Sequence, residues 1–193
     1  MTGELLPVTE THCEQDRDLD LIVGDFIAAV SGLDRSLVRR RWQIVPAKQP
    51  DREVNWCAAS ITDEDFDQYG AQELSGDGPL VAHQHGTLSV LASFYGPDAT
   101  LYARRFRQGV LICGNRAILF QNGMAILDMG SIVRVPSLVN QGWLPRSDLT
   151  FRLRLHEQRS YAIQSVLTSD GTVQTHPGND TIIIANFNTE NAG

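Results

Sequence analysis

From Leu88 to Asp98 the chain reads Leu-Ser-Val-Leu-Ala-Ser-Phe-Tyr-Gly-Pro-Asp, and this stretch decides the fold. Leu88, Val90, Ala92 and Phe94 alternate with Ser89, Leu91 and Ser93, the period of two of a half-buried strand. The pattern predicts a strand over Val81–Tyr95. Gly96-Pro97-Asp98 then opens a helix, with Pro97 at its first position and Asp98 near the positive end of the helix dipole. Tyr102, Phe106 and Val110 form its apolar stripe, and Arg104, Arg105 and Arg107 lie mostly off it. A strand delivered straight into an amphipathic helix marks a mixed fold.

Downstream, Asn115 can cap a short second helix that Asn122-Gly123 ends. Met124–Val135 reads as extended, with a bulge expected at Gly130. Leu149, Phe151, Leu153 and Leu155 alternate with Thr150, Arg152, Arg154 and His156, giving a strand with one buried and one cationic face. Asp170-Gly171 signals a hairpin between Tyr161–Thr168 and Thr172–Thr175, and Thr181–Ala185 could add another strand.

Upstream, Leu19, Ile22, Val23, Phe26, Ala29, Val30 and Leu33 follow helical spacing. Asp16, Asp18 and Asp20 lie in the first turns of that helix, and Gly32 is its stop. Leu37–Trp42 and Val54–Ile61 read as strands, and Thr62–Pro79 as a long acidic loop. Residues 1–15 are expected to be a flexible arm, 16–185 a single domain with 160–185 as its C-terminal hairpin, and 186–193 a polar tail. Strands outnumber helices and mostly neighbour each other. The expected fold is therefore α+β, a mainly antiparallel sheet with helices packed on one face.

Composition narrows the function classes. A mean hydropathy of −0.18 with 42% hydrophobic residues is ordinary for a soluble globular domain, and 193 residues give one domain a real core. No apolar run approaches the ~18 residues that span a bilayer. Met1-Thr-Gly-Glu is acidic where a signal peptide is basic, so export is not expected. Cys13, Cys57 and Cys113 are odd in number and far apart, which argues against a disulfide framework or a zinc knuckle. The net charge of −7 argues against a dedicated nucleic-acid binder. Lys48 is the sole lysine among 16 basic residues, and arginine suits planar, partly desolvated pairs at subunit contacts.

Catalytic constellations are missing from the pattern. His83-Gln84-His85 would set two imidazoles on one strand face, yet zinc wants three or four ligands. Spacing identifies no further partner, and His12, His156 and His176 are scattered. There is no Gly-x-Ser-x-Gly elbow, and Gly76-Asp77-Gly78 reads as a turn rather than a phosphate cradle. Two features look functional: Arg39-Arg40-Arg41-Trp42, and the face carrying Arg152 and Arg154. Each competes with a reading as a solvated face. Set against the acidic segment Asp63, Glu64, Asp65 and Asp67, they describe separated charge patches that could join copies head to tail.

Several motifs carry a resemblance that runs from about Leu19 to Ser169. They are Leu37-Val-Arg-Arg-Arg-Trp42, Val54-Asn55-Trp56, Ser93-Phe-Tyr-Gly-Pro-Asp98, Asn115-Arg116, Arg134-Val-Pro136, Leu138-Val-Asn140, Trp143 and Arg146-Ser-Asp148-Leu149. In these the chain resembles the neck or tail-terminator proteins of bacteriophages, particularly those with contractile tails. The resemblance implies a virion protein without catalytic residues or cofactors, assembled in the host bacterial cytoplasm. It implies a homohexameric ring that ends polymerisation of the tail tube and sheath and joins the tail to the head-side connector. Genome DNA would pass through the lumen without specific binding.

On that footing Arg39, Arg40, Arg41, Trp42, Trp143, Arg152 and Arg154 are candidates for protein contacts. Asp63, Glu64, Asp65 and Asp67 are candidates for a lumen wall, since a channel that lets DNA run should not be cationic. The rival readings are another neck or baseplate component, a ligand-binding α+β domain with residues 62–79 as a lid, and a metal enzyme using His83 and His85.

Overall fold

The computed structural model describes residues 7–10, 16–45, 47–74, 79–139, 141–162, 168–175 and 183–190. Two 16-residue strands form its spine, β5 (Leu80–Tyr95) and β9 (Arg146–Tyr161), paired antiparallel without a break from Leu80↔Tyr161 to Tyr95↔Arg146. On the far side of β5 lie β3 (Trp56–Phe66) and β4 (Ala71–Leu74). On the far side of β9 lie β6 (Met124–Arg134) and β1 (Pro7–Glu10). Strand β2 (Val38–Arg40) runs parallel to β3 and completes a seven-stranded, otherwise antiparallel sheet. Two small hairpins stand apart, β7 (Ser137–Val139) with β8 (Gly142–Leu144), and β10 (Thr168–Thr175) with β11 (Ile183–Glu190).

Helices α1 (Asp16–Ser31), α2 (Ala99–Gly109) and α3 (Ala117–Gln121) share one core with the sheet. Leu88, Val90, Ala92 and Phe94 from β5 and Leu149, Phe151, Leu153 and Leu155 from β9 are fully buried there. Phe106 is the hub, with Phe26 edge-on at 5.4 Å and Phe94 and Phe151 at 6.2 and 5.4 Å. The fold is α+β with helices packed against a mainly antiparallel sheet, as the alternating strands predict.

Local chemistry explains the joints. Gly96 has φ +106°, and a Cβ there would lie 2.6 Å from both Val54 O and Asn55 Oδ1, so only glycine fits between β5 and α2. Asn55 accepts from Asp98 N at 2.8 Å and donates to the Asp98 carboxylate at 3.1 Å, which clamps the helix start to the entry of β3. Asp98 is the N-cap and Pro97 precedes it, two positions before the first helical residue and not at that residue, where the sequence pattern places it. Gly32 ends α1 with φ +78° and Gly32 N donates to Ala28 O. Asp20 ties α1 to the sheet edge through Ser60 Oγ, Ile61 N and Arg40 Nε.

Four expectations change. Thr62–Pro79 is not one long loop: β3 continues to Phe66 and β4 adds Ala71–Leu74 alongside β5. Gly86 permits this, because a Cβ there would meet the Phe66 ring at 2.6 Å. Asp170-Gly171 is not a turn but lies within β10, opposite Asn188 and Phe187 of β11. Strand β11 also reaches through most of the stretch expected to be a polar tail. Asn115 does not cap α3; it sits in a 3-10 turn (Cys113–Arg116) and donates to Gly109 O at 2.9 Å, closing α2 instead. The Gly130 irregularity is present, as register shifts between Ile126 and Asp128 and between Met129 and Ile132. Of the expected arm, Pro7–Glu10 pairs with β9, and residues 1–6 and 11–15 lie outside the described residues, as do Gly76-Asp77-Gly78, His176 and 191–193.

Candidate assembly surface

The helices leave one face of the sheet open, and most of the charged candidates stand on it. Arg152 and Arg154 of β9 point there, opposite Ser89 and Thr87 of β5, while their neighbours Phe151, Leu153 and Leu155 go to the core. Arg152 pairs with Asp128 of β6. Its guanidinium pKa is held above the usual value, first by that hydrogen bond and then by the carboxylate's charge. Arg154 donates to Asp67 at 2.5 Å. Acidic and basic segments are therefore not segregated here: Asp67, expected on a lumen wall, is the partner of Arg154, expected at a contact. The charge separation read from the sequence fails for these residues because the continuation of β3 brings both to one face.

Toward one end of the same face, Trp56 stacks on Tyr95 with ring centroids 4.2 Å apart and planes 9° from parallel. Arg146 lies over the other side of Tyr95 at 5.6 Å and grips Asp148 through two hydrogen bonds of 2.7 and 2.6 Å. Beside this ladder the Arg39-Arg40-Arg41 run, at the end of β2 and just past it, borders a cavity of about 220 Å³. Arg40 is spent on Asp20, at 3.0 Å. Arg39 bonds to Lys48 O at 2.5 Å and Arg41 to Ser93 Oγ, both neutral acceptors. Arg41 Nε and Trp56 Nε1 are buried and make no hydrogen bond among the described residues. The sequence singled out the arginines; it missed Trp56 and Tyr95, whose partnership depends on β3–β5 register.

Asp63 and Asp65 of β3 lie opposite Ser89 and Thr87, on the same open face as Arg152 and Arg154. They are exposed, as is Glu64. Trp42 and Trp143, the two aromatic candidates, are 61% and 68% exposed. Trp143 pairs across the β7–β8 hairpin with Leu138, itself 64% exposed, so the hairpin presents an apolar tip that includes a residue not among the candidates. Trp42 leads into exposed Ile44 and Val45.

Chemistry elsewhere on the chain is sparse. His83 and His85 do gain an imidazole neighbour that spacing hid. His156 of β9 lies 3.1 Å from His83 Nδ1 through its Nε2 and stacks on His85 at 4.6 Å. His83 also meets Glu73 at 3.6 Å. Even so, among the described residues no group of three or more His, Cys, Asp or Glu is arranged to hold a metal ion. Burial pushes the Cys57 thiol pKa far up, so it is a core side chain and not a nucleophile. Among the described residues no helix is long and apolar enough to cross a membrane.

The described residues thus present a charged sheet face and two exposed tryptophans, Trp42 and Trp143. A family model described as phage neck terminator protein matches residues 17–178. The chain belongs to this family, which is structural, and membership places it at the neck of the virion. No curated protein matches the chain.

Proposed function

We propose that this chain forms the six-fold ring that ends polymerisation of the tail tube, and of the sheath in a contractile tail, and joins the tail to the head-side connector. The observation that carries the reading is the family match over residues 17–178, which takes in the helices and nearly the whole sheet. Its role is mechanical and not enzymatic, with genome DNA passing through the ring without specific binding. A net charge of −7 supports such a passage, because releasing DNA is easier from a wall that does not exchange counterions with it. Assembly takes place in the cytoplasm of the bacterial host. The partners are further copies of this chain, the tail tube, the sheath and the connector, and Arg39, Arg40, Arg41, Trp42, Trp143, Arg152 and Arg154 are the candidate contact residues.

Imaging of the assembled particle tests the reading. The expected result is six copies at the head–tail junction. Another symmetry, or a position outside the junction, overturns it. A monomer in dilute solution is compatible with it, since association follows mass action.

A further inference from the structure

We infer that the cavity between the arginine run and the Trp56–Tyr95 stack is a carboxylate socket, and that its occupant is the acidic stretch of β3, Asp63 to Asp65, from a second copy of this chain. The inference rests on the ring reading above and specifies which surfaces close the ring.

The socket is built for a planar anion. Its wall includes Arg39, Arg41, Gln43, Gln49, Trp56 and Tyr95, and among the described residues no carboxylate lines it. Arg39 and Arg41 reach only neutral oxygens, so their charge is not met by an acid among the described residues. Arg41 Nε and Trp56 Nε1, on two of the lining residues, are buried donors with no acceptor among the described residues, a condition that is costly unless something accepts from them. An entering carboxylate accepts from the Arg39 and Arg41 guanidinium groups of the lining residues, and guanidinium geometry favours it. A volume of about 220 Å³ admits a side chain and not a nucleic-acid strand.

The occupant follows from charge and from place. Asp63 and Asp65 are exposed, face the same way two residues apart, and make no ion pair among the described residues, whereas Asp67 is taken by Arg154. They stand near the opposite end of the strand that carries Trp56, roughly 23 Å away at ~3.3 Å per residue. One copy therefore cannot fill its own socket. A donor and an acceptor at two ends of one surface can be satisfied reciprocally in a closed pair or in succession around a ring, and the ring reading selects the second. A lumen position for these carboxylates is the competing placement.

The experiment uses the full chain in sedimentation velocity and native mass spectrometry, with two charge-neutral variants: Arg39→Gln/Arg41→Gln for the socket, and Asp63→Asn/Asp65→Asn for the occupant. The wild-type chain is expected to grow beyond a dimer as concentration rises, and each variant to associate about tenfold more weakly or worse. An equimolar mixture keeps one intact socket and one intact acidic stretch, so it should stop at a one-to-one dimer. If Arg41 proves necessary for folding, Arg39→Gln alone replaces the double change. Either variant assembling like wild type, a mixture that stays monomeric, or a wild-type chain that halts at monomer or dimer overturns the inference. A six-fold neck ring seen in particles built from these variants at normal yield, or one with Asp63 and Asp65 on the channel wall, removes the socket and leaves the ring reading standing. A particle without such a ring removes both.

Discussion

The Arg154 guanidinium donates to the Asp67 carboxylate at 2.5 Å, tying the middle of β9 to the turn that follows β3 across 87 residues of sequence. The two side chains are 39% and 46% exposed, so solvent screens most of their attraction. A double-mutant cycle of Arg154→Ala and Asp67→Ala is expected to give a coupling below about 1 kcal/mol that shrinks with added salt. A coupling above about 2 kcal/mol would mean that the pair is desolvated, as at a contact between chains.

The Arg146–Asp148 pair behaves differently. Its side chains are only 20% and 16% exposed, and the guanidinium also rests on Tyr95. The hydrogen bonds that Arg146 donates to Asp148 hold its pKa above the usual value, partly offset by burial. Arg146→Ala leaves a half-buried carboxylate without its cation and should cost about 2–4 kcal/mol. Urea titration with an unchanged slope is the check. A loss below about 0.5 kcal/mol would show Asp148 to be adequately solvated by itself.

Phe106 joins α2 to α1, β5 and β9 through three ring contacts. Phe106→Ala is expected to destabilise by about 3–5 kcal/mol, a large share of the ~5–15 kcal/mol typical of a domain. Phe106→Leu, which keeps most of the volume, should remain folded with a lower melting temperature. Equal effects of the two substitutions would show that the site does not hold a ring-shaped packing.

Cys57 is buried in the core and Cys113 is exposed. Iodoacetamide at neutral pH should label Cys113 and leave Cys57 untouched until the chain unfolds, read peptide by peptide in a mass spectrometer. Burial raises the folded Cys57 thiol pKa, so the unfolded chain ionises first. Its contribution to stability is complete below the ordinary value of 9.0 and declines as pH rises above it. A Cys57→Ala variant should lose part of that alkaline decline.

Much of the fold is legible in the sequence because burial writes an alternation. Leu88 to Phe94 and Leu149 to Leu155 each face one core, and both strands follow from period alone. The polar second half of β3 and all of β4 carry no such signal. Residues Ala71–Leu74 are exposed throughout, Leu74 included, so no buried alternation marks them, and their strand state depends on hydrogen bonds to β5. Asp170-Gly171 misleads for the opposite reason: a turn-forming dipeptide is held extended by eight consecutive pairings with β11.

The site is less legible than the fold. The arginine run stands out by composition, yet the partners that give it meaning come from other strands: Trp56, Tyr95 and Ser93. The link between His83 and His156 spans 73 residues, and no spacing rule reaches that far.

The unbroken ladder between β5 and β9 has a mechanical consequence. Its bonds lie across the strands, so a pull along one strand against the other loads all 16 paired positions together instead of peeling them one at a time. Force entering near Leu80 and leaving near Arg146 thus meets the sheet in shear, its most resistant direction. Force applied across the strands at β7–β8, a hairpin of two three-residue strands, meets far less resistance. The spine is a strut, and the hairpin is the part that yields first.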